Sequence, residues 1–157
     1  MQLADGAEVK RNRFAVVVHT VLPGADGVYL LRRAESLAYG GLYTLPGGYL
    51  EAGEGLYDAA VRETREETGV EVVSGRFVGV LSYRARGQPN ADQQGLNIIF
   101  VADEYHGKPQ VMEPDKFSSG GLFSADCLPQ PCVPWLPDAL DMALGARSGE
   151  LIEHIWD

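Results

Sequence analysis

Residues 47–70 read GGYLEAGEGLYDAAVRETREETGV. Two glycines open the stretch, and a second glycine-containing break, AGEG, precedes a run whose spacing predicts a helix over residues 55–68. Gly69 then stops it as a left-handed cap. With Leu56 at the origin of a helical wheel advancing roughly 100° per residue, Ala60 falls near roughly 40° and Ala59 near roughly 300°. These three define a core-facing stripe. Farther along, Glu63 falls near roughly 340°, Glu67 near roughly 20° and Glu66 near roughly 280°. The stripe that starts with leucine and alanine ends with three carboxylates.

That arrangement is unfavourable by itself. Like charges three and four residues apart repel, partial burial strengthens the penalty, and the C-terminal half of a helix disfavours negative charge. Arg65 points away near roughly 180°, whereas Arg62, near roughly 240°, lies beside Glu66 and can pair with it. A divalent cation accounts for the cluster; the alternative is a solvated acidic face paired with Arg62 and Arg65. Magnesium takes oxygen ligands, keeps several waters, and suits a few carboxylates completed by substrate phosphates.

Working outward, residues 14–22 (FAVVVHTVL) form a β-branched apolar run and read as a buried strand. A turn at 23–27 leads to VYLLRR, residues 28–33, expected to pair back on the first strand. Residues 34–41 are a loop, and Pro46-Gly47-Gly48 must turn sharply. Beyond the helix, residues 70–73, 76–83 and 96–105 are strand-like, with a polar loop at 84–94. Residues 107–121 read as loop, with Leu122 and Phe123 as a short strand. A second helix is expected over 134–146, with Leu136, Ala139, Leu140, Ala143 and Leu144 on its apolar side. The tail LIEHIWD is apolar enough to dock on an unidentified partner element. Strands with two separated helices give an α+β sandwich.

The 157 residues fit one domain, expected over residues 13–157 behind a polar, flexible tail at 1–12. The formal net charge of -9 works against binding a nucleic-acid polymer. A small phosphate ester remains acceptable where a metal ion or local arginines meet its phosphates. No stretch reaches membrane-span length, and MQLADGAEVKRNR has no apolar signal-peptide run, so the expected compartment is the cytoplasm, away from the membrane. Cys127 and Cys132 read as reduced thiols. His19, His106 and His154 are scattered, and His19, in an apolar strand, reads as a core or pocket histidine. Tyr83, Tyr105, Phe117, Phe123 and Trp135 are candidates to stack on a base, with core packing the default for each.

The central segment resembles the Nudix box, G-x5-E-x7-R-E-U-x-E-E-x-G-U with U aliphatic. Gly48, Glu54, Arg62, Glu63, Glu66, Glu67, Gly69 and Val70 fall on pattern, and Thr64 stands where an aliphatic residue is usual. LYTLPGG, residues 42–48, looks like the family's approach to the box, with Tyr43 where Trp is commoner. Residues 113–129 (EPDKFSSGGLFSADCLP) resemble the later part of small MutT-like members. The Trp expected before Phe123 is replaced by Gly120, Gly121 and Leu122, and no Asn follows Leu128-Pro129, so base recognition transfers least.

The resemblance implies the Nudix fold: an α/β/α sandwich with a mixed β-sheet between helices. It also implies magnesium-dependent hydrolysis of a diphosphate bond by water attack at phosphorus, with manganese as a substitute ion. By this analogy Gly48 (through its carbonyl), Glu63, Glu66 and Glu67 hold the metal. Glu54 acts through water or favours the helix entrance, and Arg62 orients a box carboxylate. The base is open between Glu63, Glu66 and Glu113, the last also a candidate metal ligand. Arg32 and Arg33, at the end of the second strand, are candidates for substrate phosphate. The substrate is a small nucleotide-like molecule, a nucleoside triphosphate or, alternatively, ADP-ribose, another nucleotide sugar or a dinucleoside polyphosphate. A non-catalytic nucleotide-binding module is the reading from another class, and family members are often homodimers.

Overall fold

At the centre of a five-stranded mixed sheet, β1 (Ala15–Val21) and β7 (Gln94–His106) lie side by side and parallel. Their valines, isoleucines and phenylalanine suit strands buried on both faces. β5 (Gly47–Tyr49) pairs antiparallel with the other edge of β1. β6 (Glu71–Ala85) pairs antiparallel with β7, and β9 (Glu150–Trp156) adds parallel to β6, so the order is β5-β1-β7-β6-β9. The computed structural model describes residues 14–85 and 94–156. The expected tail at 1–12 and residues 86–93 of the expected polar loop lie outside the described residues.

Strand alternation divides the core. Val18 of β1 and Ile98 and Phe100 of β7 face α1 (Leu56–Thr68), where Ala59 and Ala60 meet them. Val21, Ile99 and Val101 face the opposite way, toward α2 (Leu136–Ala143). The mixed sheet therefore sits between helices, as the α/β/α expectation required. On the α2 side lies a second, four-stranded sheet of β2 (Pro23–Gly24), β3 (Gly27–Arg33), β4 (Tyr43–Thr44) and β8 (Phe117–Phe123), with β3 contributing Val28 and Leu30 to the shared core.

Several expectations are corrected. β3 does not pair back on β1, because β5 and β7 occupy both edges of β1; β3 pairs instead with β2, β4 and β8. The strands expected at 70–73 and 76–83 are one strand, β6, carrying register shifts between Val72 and Gly75 and between Phe77 and Gly79. β8 begins at Phe117, inside the expected loop. The second helix is shorter than expected; Leu144 is 67% exposed, and Met142 takes the buried position. The tail's partner is β6. Both cysteines are free thiols. Among the described residues no helix is long and apolar enough to cross a membrane.

Candidate active site

The helix α1 enters after Gly55 and ends where Gly69, at φ 75°, donates its N–H to the Arg65 carbonyl. Its buried residues are Ala59, Ala60, Glu63, Thr64, Glu67 and Thr68. Leu56, expected at the centre of the stripe, is 40% exposed. The buried face is thus rotated by roughly 30° from the wheel origin, toward Thr64. Two small alanines let the backbone come close to β1, where the Thr20 hydroxyl donates to the Ala60 carbonyl. The acidic end is thereby turned inward, and Thr64 lies fully buried with no partner for its hydroxyl among the described residues.

Glu67 is 3% exposed, and one of its oxygens accepts the Gly47 N–H at 2.8 Å. Burial pushes its carboxyl up to about 8; Glu63 and Glu113 add repulsion, while the Gly47 hydrogen bond and Lys116 oppose the shift. Gly48 backs onto the Glu63 carboxylate so closely that a Cβ there would displace it from its present position. Arg62 binds Glu54 through two contacts of 2.7 and 3.0 Å, Glu63 at 2.7 Å and the exposed Glu66 at 3.5 Å, and reaches the Tyr49 carbonyl at 3.3 Å. Its charge is held firmly by the Glu54 and Glu63 hydrogen bonds, and Arg62 in turn lowers the Glu54 carboxyl. Glu54, expected at the metal or the helix entrance, is an arginine partner here.

Glu113 lies on the same side as these groups. Its segment is tied to the end of α1 by Gln110 N–H to Thr68 O at 3.1 Å and Met112 N–H to Glu67 O at 3.0 Å. Its carboxylate pairs with Lys116. Glu63, Glu67 and Glu113 are thus gathered at one end of α1, whereas Glu66 occupies the outer flank. As placed, Glu63 is engaged by Arg62, and no three His, Cys, Asp or Glu side chains among the described residues converge on one point. Even so, the groups fit a hard divalent cation. The donors are all oxygen, Gly48 lets the Glu63 carboxylate lie against the backbone, and the buried Glu67 would need a cation to hold its charged form, which burial disfavours.

Arg32 and Arg33 stand at the end of β3, but their guanidinium groups brace the following loop. Arg32 donates to the Gly41 carbonyl at 3.1 Å and to Glu35 at 2.8 Å; Arg33 donates to the Ala38 carbonyl at 2.7 Å. Behind Gly47, on the face away from α1, the buried His19 contacts Asn97 at 3.2 Å and packs on Trp135 with ring centroids 4.4 Å apart. Burial holds its pKa down to about 4, against the Asn97 hydrogen bond that favours the charged form. Of the other aromatic candidates, Phe117 is core, Phe123 meets Tyr43 edge-on, and the Tyr105 hydroxyl donates to the Pro23 carbonyl. The sequence reading missed Lys116, although its place three residues after Glu113 in EPDK was the available signal, since i and i+3 meet in a tight turn.

Residues 11–140 match the NUDIX domain family model. The Nudix hydrolase YvcI of Bacillus subtilis is 33% identical over 92 residues, which cover 59% of this chain and 56% of that protein. The ADP-ribose pyrophosphatase of Methanocaldococcus jannaschii is 30% identical over 118 residues, 74% of this chain and 65% of that protein. The chain therefore spans less than two thirds of the length of either relative. Among solved structures, a MutT NUDIX hydrolase from Burkholderia pseudomallei superposes with a TM-score of 0.75 at 24% identity, covering 83% of this chain and 98% of that one, a likeness of fold.

Proposed function

The chain belongs to the Nudix hydrolase family, and from that premise we propose that it hydrolyses the diphosphate bond of a small nucleoside diphosphate derivative with the help of magnesium. The observation that carries this reading is the buried Glu67, held by the Gly47 N–H, with Glu63 against Gly48 and with Glu63 and Glu113 near enough to repel its charge. Such a cluster costs stability unless a cation occupies it. Glu63, Glu66, Glu67 and the Gly48 carbonyl would hold the ion, with Glu113 as a further ligand or the base. Magnesium held there would neutralise phosphate oxygens and lower the pKa of water.

The chain's own residues divide the remaining work. Arg62 fixes the Glu63 and Glu54 carboxylates and so sets where the donor oxygens point. The Gly47 N–H holds Glu67. Glu113, whose segment is anchored to α1 through Gln110 and Met112, would take a proton from attacking water if it is the base, or bind the ion if it is a ligand. The relative named as an ADP-ribose pyrophosphatase favours a diphosphate linking two groups, such as ADP-ribose, over a nucleoside triphosphate. A chromatographic screen for nucleoside monophosphate product across nucleoside triphosphates and nucleotide sugars, with magnesium and with excess chelator, tests the reading. Turnover of at least one diphosphate, abolished by chelator and restored by magnesium or manganese, is the expected result. Full turnover in chelator, or none with any substrate, sinks it.

A further inference from the structure

Lys116 lies among the carboxylates on a backbone that cannot shift easily. Its N–H and that of Phe117 both donate to the Glu113 carbonyl, at 2.9 and 3.0 Å, closing a tight turn. Its own carbonyl accepts the Ala34 N–H at 2.8 Å, and the next residue, Phe117, is buried in the core opposite Arg33 of β3. The side chain, by contrast, is half exposed. Its ammonium contacts both oxygens of Glu113, at 2.9 and 3.0 Å. Glu67 and Glu63 act on it as well, behind Glu113, and together they raise its pKa. A fixed anchor with a four-carbon stem reaching solvent lets the charge change partners without any change in fold.

The surroundings specify the second partner. Arg32 and Arg33, the cations at the adjoining end of β3, are already committed to Gly41, Glu35 and Ala38. A divalent ion that takes an oxygen of Glu113 brings twice the charge of Lys116 and repels it. The displaced ammonium stays tethered beside the site, where the reacting diphosphate must lie. We propose that Lys116 is an exchangeable counter-ion: it neutralises Glu113 in the metal-free protein and passes to a phosphate oxygen of the diphosphate once metal engages Glu113. This rests on the metal-dependent reading of the site. It makes metal and diphosphate each improve the binding of the other, as linkage requires.

Lys116→Met separates the two halves of the exchange, with Mn2+ as the metal probe and α,β-methylene-ADP as an uncleaved diphosphate. Without nucleotide, paramagnetic titration should show Mn2+ binding about fivefold more tightly to the variant, because a competing positive charge has gone. With saturating Mn2+, α,β-methylene-ADP should bind roughly tenfold more weakly to the variant than to the parent protein, through loss of a charge-assisted contact. Without metal, the variant and the parent should bind the nucleotide equally. Lys116→Arg should recover most of the metal-dependent nucleotide affinity. Unchanged or weaker Mn2+ binding by Lys116→Met overturns the exchange, as does an equal loss of nucleotide affinity with and without metal. Failure of the parent protein to bind Mn2+ at all refutes the metal site itself, and the exchange with it.

Discussion

The two helices lie on opposite faces of one sheet and bury different things. α2 buries Leu136, Ala139, Leu140, Met142 and Ala143, all apolar. α1 buries only two alanines, and then Glu63, Thr64, Glu67 and Thr68. The sheet between them treats both much alike, offering valine and isoleucine to each side. The contrast therefore resides in the helices. One stabilises the fold by removing hydrocarbon from water. The other gives up that stabilisation along half its length to keep carboxylates inside, the pattern expected where function opposes stability.

The largest expected effect comes from exchanging the cost on α1 for function. Glu67→Gln retains the acceptor for the Gly47 N–H and removes the charge that burial opposes. We predict that turnover falls by about a thousandfold or more. The metal-free protein at pH 9 should become more stable by about 1–3 kcal/mol, because the raised carboxyl penalises folding as pH climbs through its folded value. Turnover assays paired with chelator-treated melts check both signs; parental turnover in the variant removes Glu67 from the site. On the other helix, Leu136→Ala should cost about 2–5 kcal/mol in denaturant unfolding while leaving turnover at low temperature near the parental value. A selective loss of turnover would erase the contrast between the helices.

Next in size is acid sensitivity. His19 titrates at about 4 in the folded protein against 6.5 when unfolded. The unfolded chain therefore binds the extra proton first, and stability should fall by about 1.4 kcal/mol per pH unit as pH drops from 6.5 to 4. His19→Gln should flatten that part of the stability-against-pH curve, and an unaltered slope would assign it to other groups. The smallest effect concerns Thr64, whose buried hydroxyl has no partner among the described residues. Thr64→Val should raise stability by about 1 kcal/mol, visible as a higher denaturant midpoint at unchanged slope; a lower midpoint would mean the hydroxyl is satisfied after all.

Much of α1 was legible in the sequence because its information is local. The wheel, the Gly69 stop and the spacing of Glu63 and Glu67 all lie within four turns of chain, and burial of both glutamates follows from them. The wheel's origin did not follow, because what faces Leu56 depends on strands far away in sequence. The same distance misled the reading of β3: two apolar runs joined by a turn ordinarily pair, but edge occupancy by β5 and β7 is decided elsewhere. β8 was hidden by Ser118, Ser119, Gly120 and Gly121, yet Gly120 is needed there, since a Cβ would run into the Tyr29 ring. Arg32 and Arg33 carried the right chemistry for phosphate, but their hydrogen bonds to the 34–42 loop are tertiary facts.

The parallel pairing of β1 with β7 also bears on how the molecule reaches this state. His19 and Asn97, in contact across that pair, are separated by 78 positions along the chain. Closing so wide a loop is entropically expensive and tends to come late on the folding route. Ala59 and Ala60 dock on a surface to which Ile98 and Phe100 belong, so the carboxylates of α1 have no finished platform until β7 arrives. On the proposed metal-dependent reading, a metal ion in the refolding buffer should therefore slow unfolding while leaving the folding rate nearly unchanged, because its site would be completed only once β7 is in place.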